Sequence, residues 1–141
     1  TEGLNLASSA KLAIATDGAA SAADLKRVAD TWNAQASNTG ANSKYVNSVL
    51  INATTGEITI TYNPTTMGVA ASENTLSIKP FVRSGAANAR AVALNTAIRA
   101  GNSGSLDWGC ASATQAAATA QKMTGITPGT LQAKYAPAAC R

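Results

Sequence analysis

Histidine is missing from all 141 residues. That absence excludes imidazole acid–base catalysis, Ser-His-Asp and Cys-His nucleophile systems, and His-ligated metal sites. Charge is sparse as well: Asp, Glu, Lys and Arg make up 13% of the chain, about half the usual share. Disorder driven by charge is therefore excluded. The seven acids (Glu2, Asp17, Asp24, Asp30, Glu57, Glu73 and Asp107) are scattered, and no two stand where a motif would place a glycosidase pair. Residues 101–104 contain two glycines but lack the phosphate-loop pattern and its Lys, and no Ca²⁺ loop of the Asp-x-Asp type occurs. Aromatics amount to only 4%, so the core has to be built from aliphatics and many alanines. No apolar run reaches the ~18–20 residues needed to span a bilayer.

What is present fits one folded unit. At ~100–150 residues per domain the length corresponds to a single domain, and a hydrophobic share of 45% is enough for a real core. The net charge of +4 and pI of about 9.3 reflect few acids rather than many bases. The eleven bases are spread along the chain, with only Lys26 and Arg27 adjacent. No basic stripe interleaved with aromatics is visible, so the reading is a sparsely charged surface rather than a nucleic-acid track.

There are two cysteines, Cys110 and Cys140. The even count and the lack of metal spacing favour a disulfide, which would close a loop of about thirty residues, worth ~3–4 kcal/mol in the chain-entropy model. It would also place the protein outside the cytosol. The alternative is two buried free thiols. The chain opens at Thr1 without Met or a signal peptide, and an exported protein of this kind is expected to have been processed or truncated.

Periodicity gives the elements. Residues 2–15 read as a helix with apolar Leu4, Leu6, Ala7, Ala10, Leu12, Ala13 and Ile14, stopped by Asp17-Gly18. Its apolar surface lies on more than one side, so it is either well buried or part of a longer packed helix. Ser21 with Asp24 three residues on resembles a capping box, and Leu25, Val28, Ala29, Trp32 and Ala36 follow at helical spacing. Trp32 reads as core. Residues 37–43 form a loop. The period then changes to two: residues 45–52 and 57–62 form a hairpin around the turn 54–56, with Ile58, Ile60 and Tyr62 on one face. A third strand covers 75–82, and Pro80 places its end at an edge or bulge. Residues 85–100 are expected to be helical, 106–110 a short last strand, 111–123 helical and 125–141 a Pro/Gly-punctuated tail. Thr54, Thr55, Thr65 and Thr66 lie in loops, where they serve turn chemistry or carry O-linked sugar.

Several stretches, in this order, resemble the type IV pilins. Residues 2–11 (EGLNLASSAK) look like the exposed half of that family's long helix. Residues 43–49 followed by 56–62 resemble its first hairpin. Trp108-Gly109-Cys110 resembles the Trp-x-Cys that opens its disulfide loop, and residues 135–141 (YAPAACR) resemble its closing tail. The likeness covers nearly the whole chain and is greatest to type IVa major pilins of the Pseudomonas and Acinetobacter kind. The family's apolar helix, with Phe first and Glu fifth, has no counterpart in these residues, and residues 85–104 are longer than in compact members.

The resemblance implies an α+β pilin-like roll: an N-terminal helix packed on a mainly antiparallel four-stranded sheet with a disulfide-closed C-terminal loop. Residues 1–141 would be the globular head, with 1–16 the C-terminal half of the long helix, 17–44 the helix-to-sheet connection and 110–140 the loop bounded by Cys110 and Cys140. It further implies a structural subunit of an extracellular, retractable filament used in attachment and twitching motility, with no catalysis, cofactor or metal, and with methylation as a further modification. Partners would be other pilin subunits through an apolar helix, the inner-membrane assembly machinery that holds it before assembly, and a host-cell or surface receptor facing Lys122, Thr127, Pro128, Lys134, Tyr135 and Pro137. DNA is a weaker candidate partner, through net positive charge. The alternatives are a pseudopilin of a type II secretion system, a DNA-uptake pilus subunit and a small secreted enzyme.

Overall fold

The computed structural model describes residues 2–83 and 90–141. The chain opens with α1 (Glu2–Ala13), runs through a π-helical turn (Ile14–Gly18), and turns back into α2 (Ala22–Asn33). Five strands follow: β1 (Val46–Ile51), β2 (Ile58–Tyr62), β3 (Thr75–Arg83), a two-residue β4 (Val92–Ala93) and β5 (Ser105–Ala111). Between β4 and β5 lies α3 (Leu94–Ala100), and after β5 a five-residue α4 (Ala116–Ala120). Every pairing is antiparallel: β1 with β2, β2 with β3, and β3 with both β4 and β5. The architecture is the expected α+β roll, with β4 added to the four principal strands.

α1 packs its smallest residues against the sheet. Gly3, Ala7, Ala10 and Ile14 are buried, at a spacing that lines one helical face, whereas Leu4 and Leu6 are half-buried and Leu12 is 62% exposed. Small residues let the helix axis come close to β2: a Cβ on Gly3 would meet the Tyr62 ring at 2.8 Å from Cζ and Ile60 Cγ2 at 2.9 Å. Burial lifts the Tyr62 phenol above its ordinary pKa, and the Glu2 carboxylate adds to the effect.

α2 begins where the sequence places it. The Ser21 hydroxyl accepts the Asp24 N–H at 3.0 Å, and Leu25, Val28, Ala29 and Trp32 face inward. Arg27 bonds Asp24 at 2.7 Å and Lys26 bonds Asp30 at 2.5 Å on the solvent side. The Arg27 hydrogen bond, helped by Ser21, lowers the Asp24 pKa. The helix stops at Asn33, however, and Ala36 is exposed with φ of 48° rather than a fifth inward position. The reason lies in the two preceding side chains. Trp32 Nε1 donates to the Val49 carbonyl at 2.8 Å, while the Asn33 amide donates to Ile51 O and accepts from Ile51 N–H, both at 2.8 Å. These bonds pin the end of α2 to the free edge of β1. Three consecutive left-handed residues, Ala36 to Asn38, then reverse the chain so that Thr39 O accepts the Val49 N–H at 2.9 Å.

The hairpin is as expected, with Ile58, Ile60 and Tyr62 all buried on one face and a register shift between Val46 and Ser48. Asn63 then caps a single helical turn (Pro64–Met67) within the stretch read as loop. β3 is the centre of the sheet rather than an edge. Pro80 nevertheless follows the last residue paired to β2, Ile78, and precedes the first paired to β4, Phe81. Its missing donor falls where one side of the strand has no partner.

Two helix expectations are corrected. Within 85–100 helix begins only at Leu94, after the strand Val92–Ala93; residues 84–89 lie outside the described residues. Within 111–123 only Ala116–Ala120 is helical, because Ala111 still belongs to β5 and the following residues bond to the returning tail. High alanine propensity yields there to long-range hydrogen bonding. Among the described residues no helix is long and apolar enough to cross a membrane.

The core has two parts, one on each face of β3. Leu76, Ile78 and Val82 join the cluster under α1 and α2. Phe81 points the other way, into a smaller cluster with Ala91, Ala111, Ala118, Met123 and Ile126. The first part of the C-terminal segment, with Ala118, Met123 and Ile126, thus covers the sheet's second face, while Leu131, Ala136 and Cys140 join the first cluster.

Candidate functional site

The C-terminal segment is held first by a disulfide between Cys110 and Cys140, 30 residues apart. Inside this loop is a second fastening that no spacing in the sequence announces. Residues 129–131 enter the opening where β3 begins and β5 ends. Thr130 and Leu131 N–H groups both donate to Thr75 O at 3.0 Å, Gly129 N–H donates to Ser112 O at 2.9 Å, and Ala113 N–H donates to Leu131 O at 2.8 Å. The Thr75 and Thr130 hydroxyls lie 3.0 Å apart, and the Thr130 hydroxyl also accepts the Asn74 and Thr75 N–H groups. Leu131 is buried beneath this wedge. Gly129 is required, since a Cβ there would strike the Thr75 carbonyl and approach Leu76 Cα to 3.0 Å.

The wedge divides the disulfide loop into two arms. The first, 112–128, covers Phe81. Lys79 and Arg83 rise from the same face of β3 on either side of that ring and grip the ends of its last turn: Lys79 Nζ donates to Gly125 O at 3.0 Å and Arg83 Nη2 to Gln121 O at 2.7 Å. Arg83 Nε also donates to Asp107 at 2.6 Å, and the other Asp107 oxygen accepts the Trp108 N–H at 2.9 Å. Thr127 N–H donates to Glu57 at 3.2 Å. Lys122 is exposed in a left-handed conformation, and Thr127 and Pro128 are exposed beyond it.

The second arm, 132–141, runs beside the turn after β2. Gln132 donates to Glu73 at 2.8 Å, and the Lys134 ammonium lies 5.1 Å from the centre of the Tyr135 ring, itself 54% exposed. Pro137 is half-buried. The arm closes on itself through Arg141 Nε to Ala136 O at 2.9 Å and rejoins the first arm through Ala117 N–H to Arg141 O at 2.9 Å. The six residues expected to form one receptor-facing loop are therefore placed on two arms, Lys122, Thr127 and Pro128 on one and Lys134, Tyr135 and Pro137 on the other. Of the loop threonines, Thr54, Thr65 and Thr66 are exposed and Thr55 is half-buried, its hydroxyl accepting the Glu57 N–H. The Thr66 hydroxyl donates to Lys44 O at 3.0 Å. The two threonine pairs stand at opposite ends of β2.

Sequence reasoning missed Lys79, Arg83, Asp107 and Glu57 as partners of the loop. The available signal was the strand period, which puts Lys79 and Arg83 on one face, opposite Leu76 and Ile78. On the α1 side, Lys11 lies 5.8 Å from the Trp108 ring centre, and burial lowers its pKa. An open cleft of about 670 Å³, away from the disulfide, is lined by Asp17, Asp24, Arg27, Leu94, Asn102 and Leu106.

A helix laid on an antiparallel sheet and a C-terminal segment bounded by a disulfide define the architecture that the comparisons with known proteins match. Residues 1–141 match the pilin family of bacterial filaments, and the chain belongs to that family. The crystal structure of a Pseudomonas aeruginosa (strain Pa110594) type IV pilin superposes with a TM-score of 0.93 at 50% identity, over 99% of this chain and 93% of that one. The chain is thus a type IV pilin, and its family is one of structural subunits that assemble with other pilin subunits into extracellular filaments. No curated protein matches it.

Proposed function

We propose that this chain is a major subunit of a surface filament used for attachment and twitching motility. One observation carries the reading: α1 gives its small residues to its own sheet and leaves Leu12 62% exposed, with Leu4 and Leu6 half-buried. Leu4 and Leu6 still touch the core, and a helix that turns Leu12 outward is suited to packing against neighbouring subunits. In this reading residues 1–16 are the C-terminal half of a longer helix whose apolar stem drives polymerisation, and 17–44 connect it to the sheet. Head contacts are then heterologous and propagate an open helical polymer. The subunit waits in the inner membrane by that stem, is extruded by the assembly machinery, and works without catalysis. Residues 110–140 face outward, and a cell or surface receptor meets Lys122, Thr127 and Pro128 on one arm or Lys134, Tyr135 and Pro137 on the other. O-linked sugar on Thr54, Thr65 or Thr66, methylation, and a pseudopilin or DNA-uptake role are secondary parts of the proposal.

The test is Leu12→Asp in the full-length gene. Because the side chain is outside the core, the isolated head is expected to melt as wild type while surface filaments and the twitching zone are lost. Normal filaments would contradict the packing role of α1. Loss of protein secretion with twitching intact would select the pseudopilin reading.

A further inference from the structure

The fold gathers four bases that are far apart in sequence. Lys79 and Arg83, about 13 Å apart along β3 at the usual strand rise, reach the carbonyls of Gly125 and Gln121. Lys122 is exposed between those two positions. Arg90 joins from the next segment, its Nη1 3.4 Å from the Thr124 hydroxyl, while Ala91 N–H donates to Lys122 O at 3.1 Å. All four thus ring the turn at residues 121–125. Two carboxylates adjoin them, Asp107 bonded to Arg83 and Glu57 bonded to the Thr127 N–H. Asp107 and Glu57 offset two of the four positive charges, and the carbonyls and hydroxyl that the bases touch carry no net charge, so the surface keeps a positive excess.

From this cluster we infer that the outer face around residues 121–125 binds a linear sulfated polysaccharide. Arg and Lys side chains are the groups that recognise such oxyanions. A second copy of the chain is a poorer match, because it offers few acids: Asp24 is bonded to Arg27, Asp30 to Lys26, Glu73 to Gln132 and Glu2 to Ser43, Asp107 and Glu57 adjoin the patch itself, and Asp17 is a single exposed carboxylate. A duplex nucleic acid fits less well. The aromatic ring at the patch, Phe81, is buried and offers no stacking platform, and α4, with five residues, is too short to read a groove. A flexible chain of sulfates can follow the curved turn. Repetition along a filament would multiply the contact, but the site itself needs only one head and does not depend on the filament reading.

The experiment uses chain 1–141 on immobilised heparin across a salt series. Lys122→Gly suits the left-handed backbone there and is combined with Arg90→Gln, since neither side chain enters the core. The control, Lys26→Gln with Arg27→Gln, removes the same charge from α2. Wild type is expected to be retained at low ionic strength. The patch variant should bind roughly tenfold more weakly, with a log–log salt slope smaller by about 2, and the control should match wild type; melting curves establish that all three fold. Failure of wild type to bind, or equal weakening by the control, would overturn the proposal. Equal displacement by duplex DNA of matched charge would assign the surface to nucleic acid instead.

Discussion

The β1 flank of the sheet and the β5 flank are closed in different ways. On the β1 side, Trp32, Asn33 and the Thr39 carbonyl, all from one helix end and its turn, cover the strand's unpaired backbone groups, and the large Trp32 surface is buried in doing so. On the β5 side the cover is a thirty-residue return with few large apolar anchors: Met123, Ile126 and Leu131, eked out by alanines. Burial of that size does not offset the entropy of ordering so long a segment. The difference explains why one flank relies on side chains and the other on a disulfide plus a hydrogen-bonded wedge. The first covers an open strand edge, and the second covers a face of the sheet.

Substitution between the flanks should have the largest effect. Ile60→Asp buries an unpaired charge in the strand both flanks depend on, and is expected to cost about 4 kcal/mol or more and abolish the cooperative melt; a wild-type melting curve would show the strand face to be wrong. Next comes the β5 flank alone. Cys110→Ala with Cys140→Ala should lower stability by about 3–4 kcal/mol in a denaturant titration, the loop-closure value for this separation, and an unchanged midpoint would contradict the strap's need for a covalent tie. The β1 flank alone should respond less. Trp32→Phe keeps most of the packing but leaves the Val49 carbonyl without its donor, for a loss of about 1–3 kcal/mol, with Asn33→Ala at the lower end of that range; a larger loss than the disulfide pair would reverse the comparison.

The smallest effect is on pH dependence, and it involves neither flank. The Tyr62 phenol has a raised pKa in the fold, so its contribution is fully present below the unfolded value of ~10 and is lost as pH rises through the folded value. Stability should therefore decline above about pH 10, and Tyr62→Phe should flatten that part of the profile. An identical alkaline decline in the variant would remove Tyr62 as its source.

Readability from sequence followed the same division. The β1 flank is made of local signals: Ser21 three residues before Asp24, the spacing of Leu25, Val28, Ala29 and Trp32, and alternation through Ile58, Ile60 and Tyr62. Even there helical spacing puts Ala36 on the inner face, because it does not reveal that Trp32 and Asn33 are bonded to β1. On the β5 flank the two cysteines and the Trp-Gly-Cys run pointed to the closure, but the wedge could not be read. Its bonds are backbone to backbone, between Thr75, Ser112, Ala113 and residues 129–131, and any sequence carries those groups. Alanine-rich residues 111–123 argued for helix by local preference, and only the returning tail decides otherwise. The surface around 121–125 was hidden for a related reason: Lys79, Arg83, Arg90 and Lys122 are a cluster in space and isolated bases in sequence.

The most direct test of the two-armed strap is amide hydrogen exchange on the oxidised and the reduced protein. If residues 129–131 are an independent fastening, reduction should expose the Cys140 amide and the Ala117 amide that bonds Arg141, while Thr130, Leu131 and Ala113 keep their protection. Exchange of the whole 112–141 segment as one unit on reduction would mean that the disulfide alone holds the strap and that its arms are not separate surfaces.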